Sequence, residues 1–204
     1  MEALKKLEQI SQADPRTHAF TLLDANHPGL FRKRTIEDFH RVAESIRLHD
    51  GVPEPIRSHF ETARNLIIYS WFYHPFNVTA QLSAYITVEF ALRTKFNDRK
   101  TNFKGLVKKA VDAGLVTDNG FSIPRRKAQS NRAYNQGLPA DLQIPEPTLL
   151  RQYSEGLAKS IPFLRNELAH GTTLLHEKGA SEVRICAELI NQLFPTTHHG
   201  LRRS

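Results

Sequence analysis

The sequence predicts an all-α protein, a helical bundle preceded by an N-terminal helical extension. Three observations carry that prediction. Apolar residues recur at helical spacing in successive segments, helix caps and turn residues fall between those segments, and no two stretches alternate as paired strands would.

The first helix follows Thr35, a hydroxyl residue placed as an N-cap. Ile36, Phe39, Val42, Ala43 and Ile46 then fall on one face. The stretch before it, residues 26–34, reads as loop. Gly51 to Pro55 separates this helix from a second, whose Ile56, Phe60, Ala63, Leu66 and Ile67 share a side and which stops near His74 and Pro75. Residues 78–96 form a third helix, apolar on more than one side and therefore central to the bundle. In the fourth, Phe103, Leu106, Val107, Ala110 and Val111 point inward and Lys104, Lys108 and Lys109 outward. Gly114 and the run Asp118-Asn119-Gly120 mark its end.

Residues 119–147 contain four prolines and little periodicity. They read as an irregular basic insertion, with a short helix around Lys127 to Tyr134. Helical signals resume at Thr148, and Pro162 either kinks that helix or opens a new one in its first turn. Gly171 is the natural stop. A last amphipathic helix covers 181–194 and ends at Pro195, and the tail from Thr197 is expected to fray. The resulting division is a helical extension over residues 1–55 and a bundle over 56–200.

Composition narrows the function. The run Leu66 to Tyr73 is too short to span a bilayer, and the first ten residues lack the apolar core of a signal peptide, so the expectation is a cytoplasmic chain without a membrane partner. The single cysteine, Cys186, leaves no internal disulfide and reads as a core thiol. P-loop, nucleophile-elbow, zinc-protease and dinucleotide-binding patterns are absent. The pair His198-His199, and the set His170, His176 and Glu177, lack regular ligand spacing, so neither cofactor nor metal is expected. Charge is more telling. The chain carries a net +7, and between Arg93 and Arg132 eleven Lys and Arg face three Asp. That is a local surplus of +8, so the remainder sums to −1. Basic charge this concentrated suits nucleic acid, with Lys104, Lys108, Lys109, Arg125, Arg126 and Lys127 as candidate phosphate contacts. A merely solvated helix face and basic loop would look the same by charge alone. The aromatic cluster Tyr69, Trp71, Phe72, Tyr73 and Phe76 fits a core or pairing patch better than a base-stacking platform.

The strongest local signal is Arg165-Asn166-Glu167-Leu168-Ala169-His170. On a regular helix Asn166 and His170 lie about 40° apart, while Arg165 and His170 lie about 140° apart. A long arginine side chain, a helix distorted beside Gly171, or a site shared between two subunits are the ways to unite them. Arginine offers a planar fork suited to phosphate, histidine a proton donor or acceptor near neutral pH, and asparagine a group that orients hydroxyls or phosphate oxygens. Such a set suits RNA cleavage, because RNA supplies its own 2′-hydroxyl nucleophile. Glu89, a carboxylate inside an apolar helix, is a second candidate. It either holds Arg165, orients His170, or forms only a helical pair with Arg93.

This segment resembles the Arg-X4-His signature of the HEPN superfamily in its Arg-Asn-X3-His form. The apolar helix before it, the glycine after the histidine and the final amphipathic helix match as well. The resemblance covers residues 56–195 in layout and is specific around 161–194. It implies a helical bundle that pairs as a homodimer, and a metal-independent endoribonuclease with Arg165, Asn166 and His170 as its catalytic set, acting as a toxin or phage-defence effector. RNA is the implied partner, with an antitoxin or other protein as a further one. It equally admits a non-catalytic module that binds RNA or protein, and a structural adaptor is a third alternative. One departure stands out. Members paired with a nucleotidyltransferase antitoxin carry tyrosine two residues after the histidine, where this chain has Thr172.

Overall fold

The computed structural model describes residues 4–19, 21–144, 151–171 and 179–196. Among the described residues it is an all-α bundle of seven helices with one small hairpin. The expectations placed on Thr148, on Thr172 and on the tail from Thr197 lie outside the described residues.

Helix α1 (Ile36–Glu44) begins where Thr35 places it. The Asp38 carboxylate accepts from the Thr35 backbone N–H at 2.9 Å, closing the first turn. Helix α2 (Glu54–Tyr69) opens with Pro55 in its first turn, where a missing N–H costs nothing. Helix α3 (Phe76–Phe96) is the axis of the molecule. Ala80, Ala84, Tyr85, Val88, Ala91 and Leu92 are buried, and it packs most extensively on α2 and on α7 (Gly179–Leu193). Its small residues let neighbouring helices approach closely. It ends at Asn97, which adopts the left-handed conformation that asparagine tolerates (φ +48°). Helix α4 (Phe103–Asp112) is capped by Asn102, whose Oδ1 accepts from the Gly105 N–H at 2.8 Å.

Helix α6 (Gln152–Ala169) is continuous through Pro162, so the proline sits inside a helix rather than opening one. The buried Asp118 carboxylate accepts from the backbone N–H groups of Tyr153 and Ser154 at 3.0 and 2.8 Å, capping α6 from a loop more than thirty residues earlier. The core is one continuous cluster that includes Phe60, Tyr85, Leu92, Leu106, Phe121, Ile161 and Leu189. Cys186 lies fully inside it, and burial pushes its thiol well above the usual range. Among the described residues, no helix is long and apolar enough to cross a membrane.

Two expectations are corrected. The stretch expected to be an irregular insertion near 119–147 holds a full helix, α5 (Ser122–Asn135). Pro124 falls in its first turn and breaks nothing, and the Ser122 N–H donates to Glu188 of α7 at 3.1 Å. The helix buries only Pro124 and Ala128, so it carries almost no apolar period to read. The N-terminal extension holds the expected helix α1, but residues 26–34, expected to be loop, contribute a strand to an antiparallel hairpin, and no paired strands were expected. Strands β1 (Thr21–Leu23) and β2 (Phe31–Lys33) pair Leu22 with Arg32. Three-residue strands are too short to show alternation, and the connecting loop is closed by Gly29 at φ +90° and by Asp24 accepting from the Asn26 N–H.

This extension is tied to the bundle by carboxylates. Asp14 accepts from the His74 N–H at 2.9 Å and from Arg16, fixing the turn between α2 and α3. The aromatic run at that turn, including Trp71, Phe72, Tyr73 and Phe76, packs edge to face within itself.

Candidate functional site

Glu89 is the centre of the polar cluster on α3. Its Oε1 accepts from Arg93 Nη2 at 2.7 Å and Nε at 3.2 Å, one turn further along the same helix. Its Oε2 accepts from Arg165 Nη2 at 3.2 Å, across to α6. One carboxylate therefore holds two guanidinium groups from different helices. The helical Glu89–Arg93 pair and the Glu89–Arg165 contact coexist, because the two carboxylate oxygens are used separately. Arg165 is not saturated. Its Nη1 reaches Asn166 Oδ1 at 3.3 Å, and its buried Nε has no hydrogen-bond partner among the described residues. Arg93 is more fully engaged, since its Nη1 also donates to the carbonyls of Asp98 and Thr101.

These groups line a groove of about 530 Å³ between α3, α4 and α6, together with Asn102, Lys104, Lys159 and Phe163. Arg93, Lys104, Lys159 and Arg165 set four positive charges against the single carboxylate of Glu89, a net +3. A concave, positive surface of this kind concentrates phosphate. Asn102, Phe103 and Lys104 bring the positive end of α4 to the same wall.

His170 stands apart. It is the C-cap of α6, where the chain leaves helical geometry (φ −89°, ψ 7°) just before Gly171 at φ +86°. Its backbone N–H donates to the Asn166 carbonyl at 3.0 Å, its side chain is exposed, and it is not part of the groove wall. Within one chain, Arg165, Asn166 and Glu89 are brought together, and His170 sits one turn beyond Asn166 at the helix end.

The expected phosphate contacts are divided in the same way. Only Lys104 lines the groove. Lys108 bonds Asp112 at 2.6 Å, and Lys109 lies 3.8 Å from Asp98 and over the ring of Phe96. Arg125, Arg126 and Lys127 form an exposed basic turn on α5, outside the groove. Lys159 and Phe163 were missed by sequence reasoning. The signal was present in their spacing, since Lys159, Phe163, Asn166 and His170 fall within about 60° on the helical wheel of α6.

Comparison with protein-family models, with curated proteins and with solved structures gave no match.

Proposed function

We propose that this protein is a metal-independent endoribonuclease of the HEPN type, working as a homodimer in a toxin or phage-defence setting. The observation that carries this reading is the Glu89–Arg165 contact inside a basic groove, with Asn166 beside it and a histidine one turn away at the end of the same helix. In this reading the substrate 2′-hydroxyl attacks the adjacent phosphorus. His170 takes that proton or protonates the departing 5′-oxygen, and Arg165 stabilises the charge on the phosphorane. Asn166 orients a phosphate oxygen or hydroxyl, and Glu89 keeps the Arg165 fork facing the groove. Pairing is supported by Ile86 and Phe90, two exposed apolar side chains that flank Glu89 on α3. A partner chain set against that face would supply the nearness to His170 that one chain lacks. A nuclease of this kind needs a restraint in its own cell, which makes an antitoxin or other inhibitor protein the expected second partner.

One observation favours the second reading, a non-catalytic module that binds RNA or protein. His170 does not line the groove in the single chain, so the groove can hold a phosphate without a proton donor. Purified protein incubated with total RNA in EDTA separates the two. Nuclease action gives internal cuts with 2′,3′-cyclic phosphate ends, from a species sedimenting at twice the chain mass. Intact RNA that is bound with micromolar affinity gives the second reading.

A further inference from the structure

We infer that the exposed stripe of α6, with the two lysines of the groove, is a track for single-stranded RNA on one side of the cleaved bond. In this track Phe163 stacks on a base, and Lys104 and Lys159 hold the phosphates flanking it. The inference rests on the nuclease reading and adds a substrate class and its binding residues.

Geometry comes first. Lys159, Phe163, Asn166 and His170 are all exposed on one side of α6. At about 1.5 Å per residue they extend over about 16 Å, longer than a single nucleotide needs and suited to a short strand. Asn166 and His170 occupy the end assigned to chemistry. Lys159 and Phe163 occupy the other end and line the groove together with Lys104 of α4.

The state of the cations comes second. Arg93 is spent on Glu89 and two backbone carbonyls, and Lys108 is paired with Asp112. Lys104 and Lys159 have no carboxylate partner among the described residues, and they line the same groove from two different helices, α4 and α6. Two ammonium groups gathered into one groove repel one another, and an anion bound there relieves that repulsion.

The aromatic ring comes third. Phe163 is 61% exposed, one helical turn from Lys159 and on the rim of the cationic groove. An isolated exposed phenylalanine is common on protein surfaces. A ring beside two lysines of one groove is the arrangement that single-stranded nucleic acid uses, with the base on the ring face and the backbone on the cations. Stacking requires an unpaired base, so the track selects loops and single strands over duplex RNA.

The test separates binding from cleavage by using a short, fully 2′-O-methylated single-stranded RNA, which lacks the nucleophile. Phe163→Ala should raise its Kd about tenfold and Phe163→Tyr should restore it, in keeping with the strength of base–aromatic stacking. Replacing Lys104 and Lys159 together by Ala should lower the slope of log Kd against log salt by about 1.4. In cleavage of unmodified RNA, Phe163→Ala and the double lysine variant should raise KM and leave kcat near the wild-type value, and Phe163→Tyr should match wild type in both. A Phe163→Ala protein and a double lysine variant that bind and cut like a wild type that itself binds and cuts would overturn the track and leave the nuclease reading standing. A Phe163→Ala protein that sediments at half the wild-type mass would assign the ring to a pairing face and also overturn it. A wild type that neither binds the modified RNA nor cuts the natural one removes the nuclease reading, and the track with it.

Discussion

Two carboxylates in this molecule do the same local job with opposite outcomes. Asp38, at the start of α1, accepts from Arg32 Nη1 and Nη2 at 2.6 and 2.7 Å, from the Thr35 N–H at 2.9 Å, and lies 3.4 Å from Arg41. Its side chain is 5% exposed, and both terminal nitrogens of Arg32 are bonded to it. The Arg32 guanidinium bonded to it, together with the Thr35 N–H, holds its carboxyl well below the usual carboxylate range. Glu89 also holds two arginines, but its side chain is 16% exposed at a groove wall, and Arg165 keeps donor capacity unused. The first cluster borders a cavity of about 300 Å³, but its carboxylate is saturated and ties strand β2 to α1. The second leaves a cationic fork directed at a space. A satisfied ion cluster reads as architecture and a partly satisfied one beside a cleft reads as a site.

Four substitutions sharpen that contrast. The largest effect is expected at Arg165. Arg165→Ala should lower RNA cleavage by about 100-fold or more, on the scale of losing a transition-state donor. Arg165→Lys should recover little, because an ammonium does not reproduce the fork. Next come Glu89→Gln and Asp38→Asn, which should exchange roles. Glu89→Gln should cost about 1 kcal/mol or less of stability, as a partly exposed pair does, yet slow cleavage by about tenfold or more by freeing the fork. Asp38→Asn should lose roughly 1.5–3 kcal/mol in urea unfolding, with cleavage unchanged in the folded protein. Equal stability losses would erase the distinction between the two clusters.

The Asp38 cluster also has a pH signature. Its carboxyl is depressed in the folded state, so its stabilising contribution is complete above the unfolded value near pH 4. That contribution is lost as pH falls through the folded value. Wild type should therefore exceed Asp38→Asn in urea midpoint by a constant margin between pH 5 and 8, narrowing progressively below about pH 4. A margin that widens on acidification contradicts the assignment. The smallest expected effect lies on α5. Replacing Arg125, Arg126 and Lys127 by Ala should flatten the salt dependence of RNA affinity by about 2 at most if all three meet phosphates. An unchanged slope returns them to an ordinary solvated face.

The contrast also shows what a sequence displays and what it hides. Helices α1, α2, α3, α4 and α7 are legible because each has a buried face at helical spacing or a recognisable cap. Helix α5 is legible only over Lys127 to Tyr134, because it buries only two side chains. The hairpin is hidden because its strands are three residues long. At the candidate site, Glu89 is conspicuous as a carboxylate in an apolar helix, and the Arg165 to His170 segment as a motif. Lys159 and Phe163 are not, since each is an unremarkable surface residue until α4 is folded against α6 and places Lys104 across from them. A groove that joins α3 and α4 to the distant α6 leaves no continuous pattern to read.

His170 provides the most direct test. It is exposed at a helix end and contributes nothing to the core, so His170→Ala should keep the wild-type melting temperature and assembly state. The measurement is cleavage of one defined single-stranded RNA in EDTA by wild type and His170→Ala at equal concentration, with both proteins checked for folding. Wild type is expected to cut and to leave 2′,3′-cyclic phosphate ends, and His170→Ala to be slower by about 100-fold or more. A folded His170→Ala protein that cuts as fast as wild type would contradict the account.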